Sequence, residues 1–221
     1  MSEWIDLDTH HGHVRARLAK PSGRPRGAVV VLQEIFGVNP HIRSVTERFA
    51  DAGFLAIAPS LFDPVEPGVE LEYDETGIER GRSLAASVGF DRAVDVVAAA
   101  AKIVGDDGLH VGAVGFCWGG SVAFLANTRL GLPAVSYYGA RSMPFIDERA
   151  RAPLMFHFGE LDPTIPPADI ARHREAQPDA DVHVYPARHG FNRDVDPNVH
   201  EPASAALAWQ RTVEFLTEHL S

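Results

Sequence analysis

The chain has 221 residues, enough for one well-packed core, and its 45% apolar and 23% charged residues exclude the disordered and fibrous classes. Thirty acidic residues against twenty basic ones give a formal charge of −10, which repels phosphate backbones and anionic membranes and argues against nucleic acid as a partner. No apolar run reaches bilayer length and the start, MSEWIDLDTH, is acidic and polar, so a single cytoplasmic domain over residues 1–221, with no membrane association, is expected.

Residues 4–6 and 14–19 alternate in polarity around a turn holding His10, His11, Gly12 and His13, the pattern of an antiparallel edge. The run AVVVL at 28–32 is continuous and β-branched, as a strand buried on both faces requires, and it ends in Gln33-Glu34. Helical length or spacing over 41–52 leads to a strand at 54–58. Residues 59–79 are rich in proline, glycine and acid without a sustained period, which predicts a long connection and a candidate lid. The stretch 90–104 has a broad apolar face and alanines that let a helix lie close to a sheet. Strands at 111–114, 134–138, 154–158 and 182–185 then alternate with helices at 121–128, 168–175 and 202–219. Short apolar runs between longer helical segments predict an α/β fold, a mostly parallel central sheet with helices on both faces.

The only cysteine, Cys117, rules out an intramolecular disulfide and any multi-cysteine metal site. It lies in Gly115-Phe116-Cys117-Trp118-Gly119-Gly120, between a predicted strand and a predicted helix. A sharp strand-to-helix turn with glycine two residues before and two after lets neighbouring backbones close up and lifts the central side chain over the sheet edge. The helix N-terminus there favours a thiolate, so sulfur takes the place of the usual serine oxygen. Alone, the motif reads equally well as a small buried hydrophobe in a glycine turn. No serine in the chain has glycine at both corresponding positions.

The order nucleophile, acid, histidine, with both later members on loops after strands, is completed by Asp162 and His189. Singly, Asp162 also suits a turn and His189 an exposed surface; their placement behind the elbow is what suggests chemistry. His157, inside an apolar strand, reads as a satisfied core histidine. The cluster His10, His11 and His13 reads as a solvated turn, without cysteine or carboxylate partners at metal spacing; neither metal nor cofactor is expected. Acyl transfer needs N–H donors where the carbonyl oxygen becomes negative, and the expected ones are the backbone amides of Trp118 and Ile35. Glu34 is placed to point into the same cleft, or else to serve as a hydrogen-bonded strand-end residue.

Gln33-Glu34-Ile35-Phe36-Gly37, the Cys117 elbow, Gly159-Glu160-Leu161-Asp162 and His189-Gly190-Phe191 together resemble the dienelactone hydrolase (carboxymethylenebutenolidase) family over nearly the whole chain. The resemblance implies the α/β-hydrolase fold and hydrolysis of a small ester or lactone, with the dienelactone type foremost, through Cys117, His189 and Asp162. It also implies that Glu34 contacts the cysteine and helps form the thiolate when substrate binds, and that Arg193 holds a substrate carboxylate. The family's second arginine, with a nearby tyrosine, falls in the connection ahead of residue 90, where Gly77-Ile78-Glu79-Arg80-Gly81-Arg82 does not reproduce the spacing and leaves Arg80 and Arg82 as candidates. That departure keeps a broader carboxylesterase or thioesterase in view, and a non-catalytic ligand-binding relative is the alternative of a different class.

Overall fold

The computed structural model describes residues 2–106 and 108–221, which form one eight-stranded sheet. Along it lie β1 (Ser2–Thr9), β2 (Gly12–Ala19), β4 (Leu55–Pro59), β3 (Ala28–Leu32), β5 (Val111–Phe116), β6 (Ala134–Tyr137), β7 (Leu154–Gly159) and β8 (Asp181–Tyr185). The β1–β2 and β2–β4 pairs are antiparallel and the other five are parallel. Every residue of β3 is fully buried, and each of its larger side chains contributes about 1.5–3 kcal/mol by leaving water.

Among the described residues five α-helices cover the sheet: α1 (Pro40–Asp51), α2 (Glu75–Gly105), α3 (Trp118–Leu125), α4 (Pro167–Ala176) and α5 (Pro202–Leu220). The chain steps from β3 to β4 in one direction and from β4 through β5 to β8 in the other. Right-handed crossovers therefore place α1 on one face and α2, α3 and α4 on the opposite one. On the first face α5 joins α1, with the Phe49 and Trp209 rings 4.6 Å apart; on the second, Phe90 of α2 lies 6.2 Å from Trp118 of α3. The reversal makes the carboxyl ends of β3 and β5 a topological switch point, where open α/β sheets bind ligands.

The connection expected over 59–79 ends earlier. Asp74 caps α2, its carboxylate accepting from the Gly77 amide at 2.7 Å, and the helix runs from Glu75 to a corner at Gly89, where φ is 71° and ψ 170°. Three glycines and many charges across 75–89 weaken helix propensity and hide the period that was legible over 90–104. Gly81 is required by contact: a Cβ there would lie 2.0 Å from the Ile35 carbonyl oxygen, so its absence lets α2 lie against the segment following β3. Ahead of α2 the chain is tied down by the Leu61 amide on Gln33 Oε1 and the Leu71 amide on the Phe36 carbonyl, both at 3.0 Å. The helix expected over 121–128 begins instead at Trp118 and widens into a π-helical turn over Ala126–Leu130.

His157 is a core residue of β7, its Nδ1 2.8 Å from Tyr185 Oη and its Nε2 3.1 Å from Thr212 Oγ1 on α5. Burial pushes His157 well below the ordinary imidazole range and lowers His173 and His183 as well. These rings stay neutral in the folded chain while the unfolded chain protonates them near pH 6.5. Stability therefore falls as pH drops below about 6.5, by at most about 1.4 kcal/mol per pH unit per histidine. Carboxylates with depressed pKa values act only below about pH 4.5, so urea titrations between pH 6.5 and 5 isolate the histidines. The midpoint is expected to decline over that interval and to decline less in His157→Gln; equal slopes in the two proteins would contradict this account of His157.

In the amino-terminal turn His11 pairs with Asp95 at 2.9 Å and His13 with Asp8 at 3.0 Å. Among the described residues no three His, Cys, Asp or Glu side chains are grouped so as to hold a metal ion, and no helix is long and apolar enough to cross a membrane.

Candidate active site

β5 and α3 meet at Cys117, held at φ 54° and ψ −117°, a combination that costs a residue with a Cβ on the order of 1–3 kcal/mol. The flanking glycines make this turn possible. A Cβ on Gly115 would lie 1.9 Å from the Gly119 carbonyl oxygen, and one on Gly119 would lie 2.4 Å from that of Gln33. The Cys117 amide donates to the Tyr137 carbonyl at 3.0 Å and its own carbonyl accepts from Gly120 at 2.9 Å. The half-buried thiol thus sits at the first turn of α3, beside the positive end of the helix.

Asp162 follows β7 and His189 follows β8, and the sheet brings them together: Asp162 Oδ2 lies 2.6 Å from His189 Nδ1. Asp162 Oδ1 accepts from the Thr164 amide at 2.8 Å and the Thr164 hydroxyl at 2.6 Å, and that hydroxyl is also 3.2 Å from His189 Nδ1. Burial alone would raise the Asp162 carboxyl; the hydrogen bonds from His189 and Thr164 outweigh it and hold the group below its usual range. His189 is pushed up to about 10, because burial, which would lower it, is overcome by the Cys117 charge and by the hydrogen bond to Asp162. With Nδ1 facing Asp162, Nε2 is the nitrogen left for the sulfur.

Glu34, immediately past the Gln33 that follows β3, is completely buried. Its carboxylate takes a bidentate pair from Arg193, Nη2 to Oε1 at 2.9 Å and Nε to Oε2 at 3.2 Å, while Arg193 Nη1 donates to Asp196 at 3.2 Å. The guanidinium also stacks 4.2 Å from the Tyr73 ring centroid. Desolvation would raise Glu34, but Arg193 overcomes it and keeps the carboxyl below its usual range. The implied contact of Glu34 with Cys117 is thus replaced at rest by a pair with Arg193, the residue expected to hold substrate.

Trp118 is the first residue of α3, so its amide has no intrahelical acceptor, and the Ile35 amide makes no backbone hydrogen bond among the described residues. Both residues line a cleft of about 710 Å³ that also reaches Cys117, His189, Thr164 and Arg193. The first half of α2 supplies one wall through Ile78, Arg82, Ala85 and Ala86, and the turn after β6 adds Ala140 and Arg141. Arg80 is directed elsewhere and pairs with Glu66. A second hollow of about 840 Å³, between Arg149, Gln177 and His219 at the opposite edge of the sheet, contains no nucleophile.

Thr164 and Tyr138 escape sequence reading. Thr164 had a signal, since a hydroxyl two residues after an aspartate closes a local side-chain turn. Tyr138 had none: it turns at φ 40° after β6, its ring meets that of His189 edge-on at 5.0 Å, and its buried hydroxyl has no hydrogen-bond partner among the described residues.

The profile of the Dienelactone hydrolase family matches residues 14–220. A Synechocystis sp. protein bearing a provisional carboxymethylenebutenolidase name is 36% identical, over 86% of this chain and 85% of its own length. The carboxymethylenebutenolidase of Pseudomonas putida is 31% identical over 98% of this chain and 96% of its own. Among solved structures, a Klebsiella pneumoniae protein described provisionally as a dienelactone hydrolase superposes with a TM-score of 0.85 at 26% identity, covering 99% of this chain and 98% of that one.

Proposed function

The chain belongs to the dienelactone hydrolase family and is a hydrolase of ester or lactone bonds, and from that premise we propose that Cys117 is its nucleophile, His189 its proton carrier and Asp162 the orienting carboxylate. The observation that carries this reading is the imidazole of His189, bonded at Nδ1 to Asp162 at 2.6 Å and lining the same cleft as Cys117. The helix N-terminus beside Cys117 favours the thiolate once the thiol has lost its proton, and the raised imidazole holds the proton that the departing oxygen will take.

The thiolate attacks the carbonyl carbon, forming the C–S bond and placing negative charge on the carbonyl oxygen. The Trp118 and Ile35 amides receive that charge. As the intermediate collapses, the C–O bond breaks and His189 gives its proton to the departing oxygen, which in a lactone stays attached to the acyl group. His189 then takes a proton from water, the hydroxide adds to the thioester, and the C–S bond breaks to return the thiolate. Every step is carried by side chains and backbone amides.

Glu34 and Arg193 belong to the same proposal for a dienelactone-type, anionic substrate. A substrate carboxylate drawing on Arg193 loosens its hold on Glu34, and a buried carboxylate losing its counter-charge becomes a proton acceptor for the Cys117 thiol. One domain over residues 1–221, supported by the continuous sheet, completes the reading, and its expected place of work is the cytoplasm.

Mass spectrometry of enzyme quenched during turnover of an activated ester is the test. An acyl adduct on the peptide containing Cys117 is expected, and turnover with the acyl group carried on another residue, or on none, overturns the assignment.

A further inference from the structure

Cys117 and Tyr138 are the two residues other than glycine that stand at positive φ among the described residues, at 54° and 40°. They are neighbours. The parallel pairing of β5 with β6 sets Phe116 against Tyr137, and the Cys117 amide donates to the Tyr137 carbonyl at 3.0 Å, so the two strand ends deliver both residues side by side. Backbone strain of this kind persists only where the surroundings impose it, and it gathers at sites of chemistry. Around Tyr138 the surroundings are its amide bond to the His157 carbonyl at 2.8 Å and the rings of His189, Phe191 and Phe116, with centroids 5.0, 5.4 and 6.3 Å away.

The adjacent tyrosines use their hydroxyls differently. Tyr137 Oη lies 2.6 Å from Thr212 Oγ1. Tyr138 is completely buried, and its Oη has no hydrogen-bond partner among the described residues, which is a cost to the resting fold. The charged groups that act on it are Glu34, Arg193 and Cys117, together with the Tyr73 phenol. Burial above all, reinforced by the charges of Glu34 and Cys117, pushes the hydroxyl well above the ordinary phenol range, so it keeps its proton and can serve as a donor.

Few acceptors are open to it. A guanidinium such as Arg193 offers none, and both Glu34 oxygens are already engaged by Arg193. Substrate is out of reach, because Tyr138 is completely buried and does not line the cleft that Cys117 and His189 share. Sulfur is left, a weak acceptor as the thiol and a strong one as the anion.

Resting on the nucleophile reading above, we infer that Tyr138 is a further catalytic residue, whose hydroxyl donates a hydrogen bond to the Cys117 thiolate. The bond forms with the anion, so it stabilises the sulfur that attacks and not the resting thiol. The phenolic proton stays on its oxygen throughout.

Tyr138→Phe and Tyr137→Phe each remove one oxygen and keep the ring, and they are compared with wild type in the pH profile of Cys117 alkylation by iodoacetamide, in turnover of 4-nitrophenyl acetate and in urea unfolding. For Tyr138→Phe the alkylation profile is expected to move to higher pH by about one pH unit, the worth of a charge-assisted hydrogen bond, with kcat/KM lowered about tenfold. Its urea midpoint holds or rises, because an unpartnered hydroxyl has left the core. Tyr137→Phe does the reverse, losing stability with the Thr212 bond and keeping the alkylation profile of wild type. An unmoved profile in Tyr138→Phe, or a midpoint that falls as it does in Tyr137→Phe, overturns the inference and leaves the nucleophile standing. Wild type that hydrolyses the ester at full rate after Cys117 is alkylated removes the nucleophile reading and this inference with it.

Discussion

Cys117→Ala is expected to lower kcat for an activated ester by about ten-thousand-fold or more, the order seen when the nucleophile of a triad is removed, while binding and the amide donors sustain a small residue of rate. The fold should survive. Alanine fits the space of a truncated half-buried side chain and bears the same φ of 54° that cysteine does, so unfolding free energy is expected to change by less than about 1 kcal/mol. A second readout ties the loss to chemistry. His189 owes part of its rise to about 10 to the Cys117 charge, so its imidazole pKa, followed by NMR, should fall in the alanine variant. Unchanged turnover in a clean preparation would remove Cys117 from the mechanism. An unchanged His189 titration with lost turnover would remove the electrostatic coupling of sulfur to imidazole instead.

Arg193→Met is expected to destabilise the fold by about 3–5 kcal/mol, because it leaves the completely buried Glu34 carboxylate without its counter-charge. Glu34→Gln in the same background should recover most of the loss, since a neutral amide costs far less to bury than an unpaired carboxylate. The pH dependence changes sign between the proteins. In wild type the Glu34 pKa is depressed, so its contribution is present above about pH 4.5 and fades as pH falls through the lower folded value. Without Arg193, burial acts unopposed and raises the folded pKa, so the penalty grows as pH climbs above about 4.5. Urea midpoints from pH 4 to 8 for the two single variants and the double variant test this. A double variant as unstable as Arg193→Met would show that the loss comes from packing against Tyr73 and Phe36 instead.

Proximity to Arg193 also changes the meaning of Glu34. A glutamate after a buried strand reads as a group aimed into the cleft; the structure shows one paired from a loop 159 residues away. No local pattern records such a partner. The same holds for Arg82: its separation from Arg80 by two residues puts them on different faces of α2, but only once the helix is known to begin at Glu75. Glycines that serve close contact, such as Gly77 and Gly81, look in sequence like the punctuation of a loop, and that is why residues 75–79, the first turn of α2, look like the end of a connection.

By itself the sequence determined the parallel sheet and the elbow. Continuous apolar runs such as 28–32 can be satisfied only by strands covered on both sides, and glycines at 115 and 119 leave room for backbones less than 3 Å from where a Cβ would stand. It also determined the order in which Cys117, Asp162 and His189 arrive, because each follows a strand and the ends of parallel strands share one edge. Tertiary structure alone decided what surrounds them: Thr164 and Tyr138 against His189, and Arg193 on Glu34. The physical reason is range. Strand and turn preferences act within a few residues, whereas charge pairing and cleft lining depend on which distant side chains the sheet and its helices bring within about 4 Å.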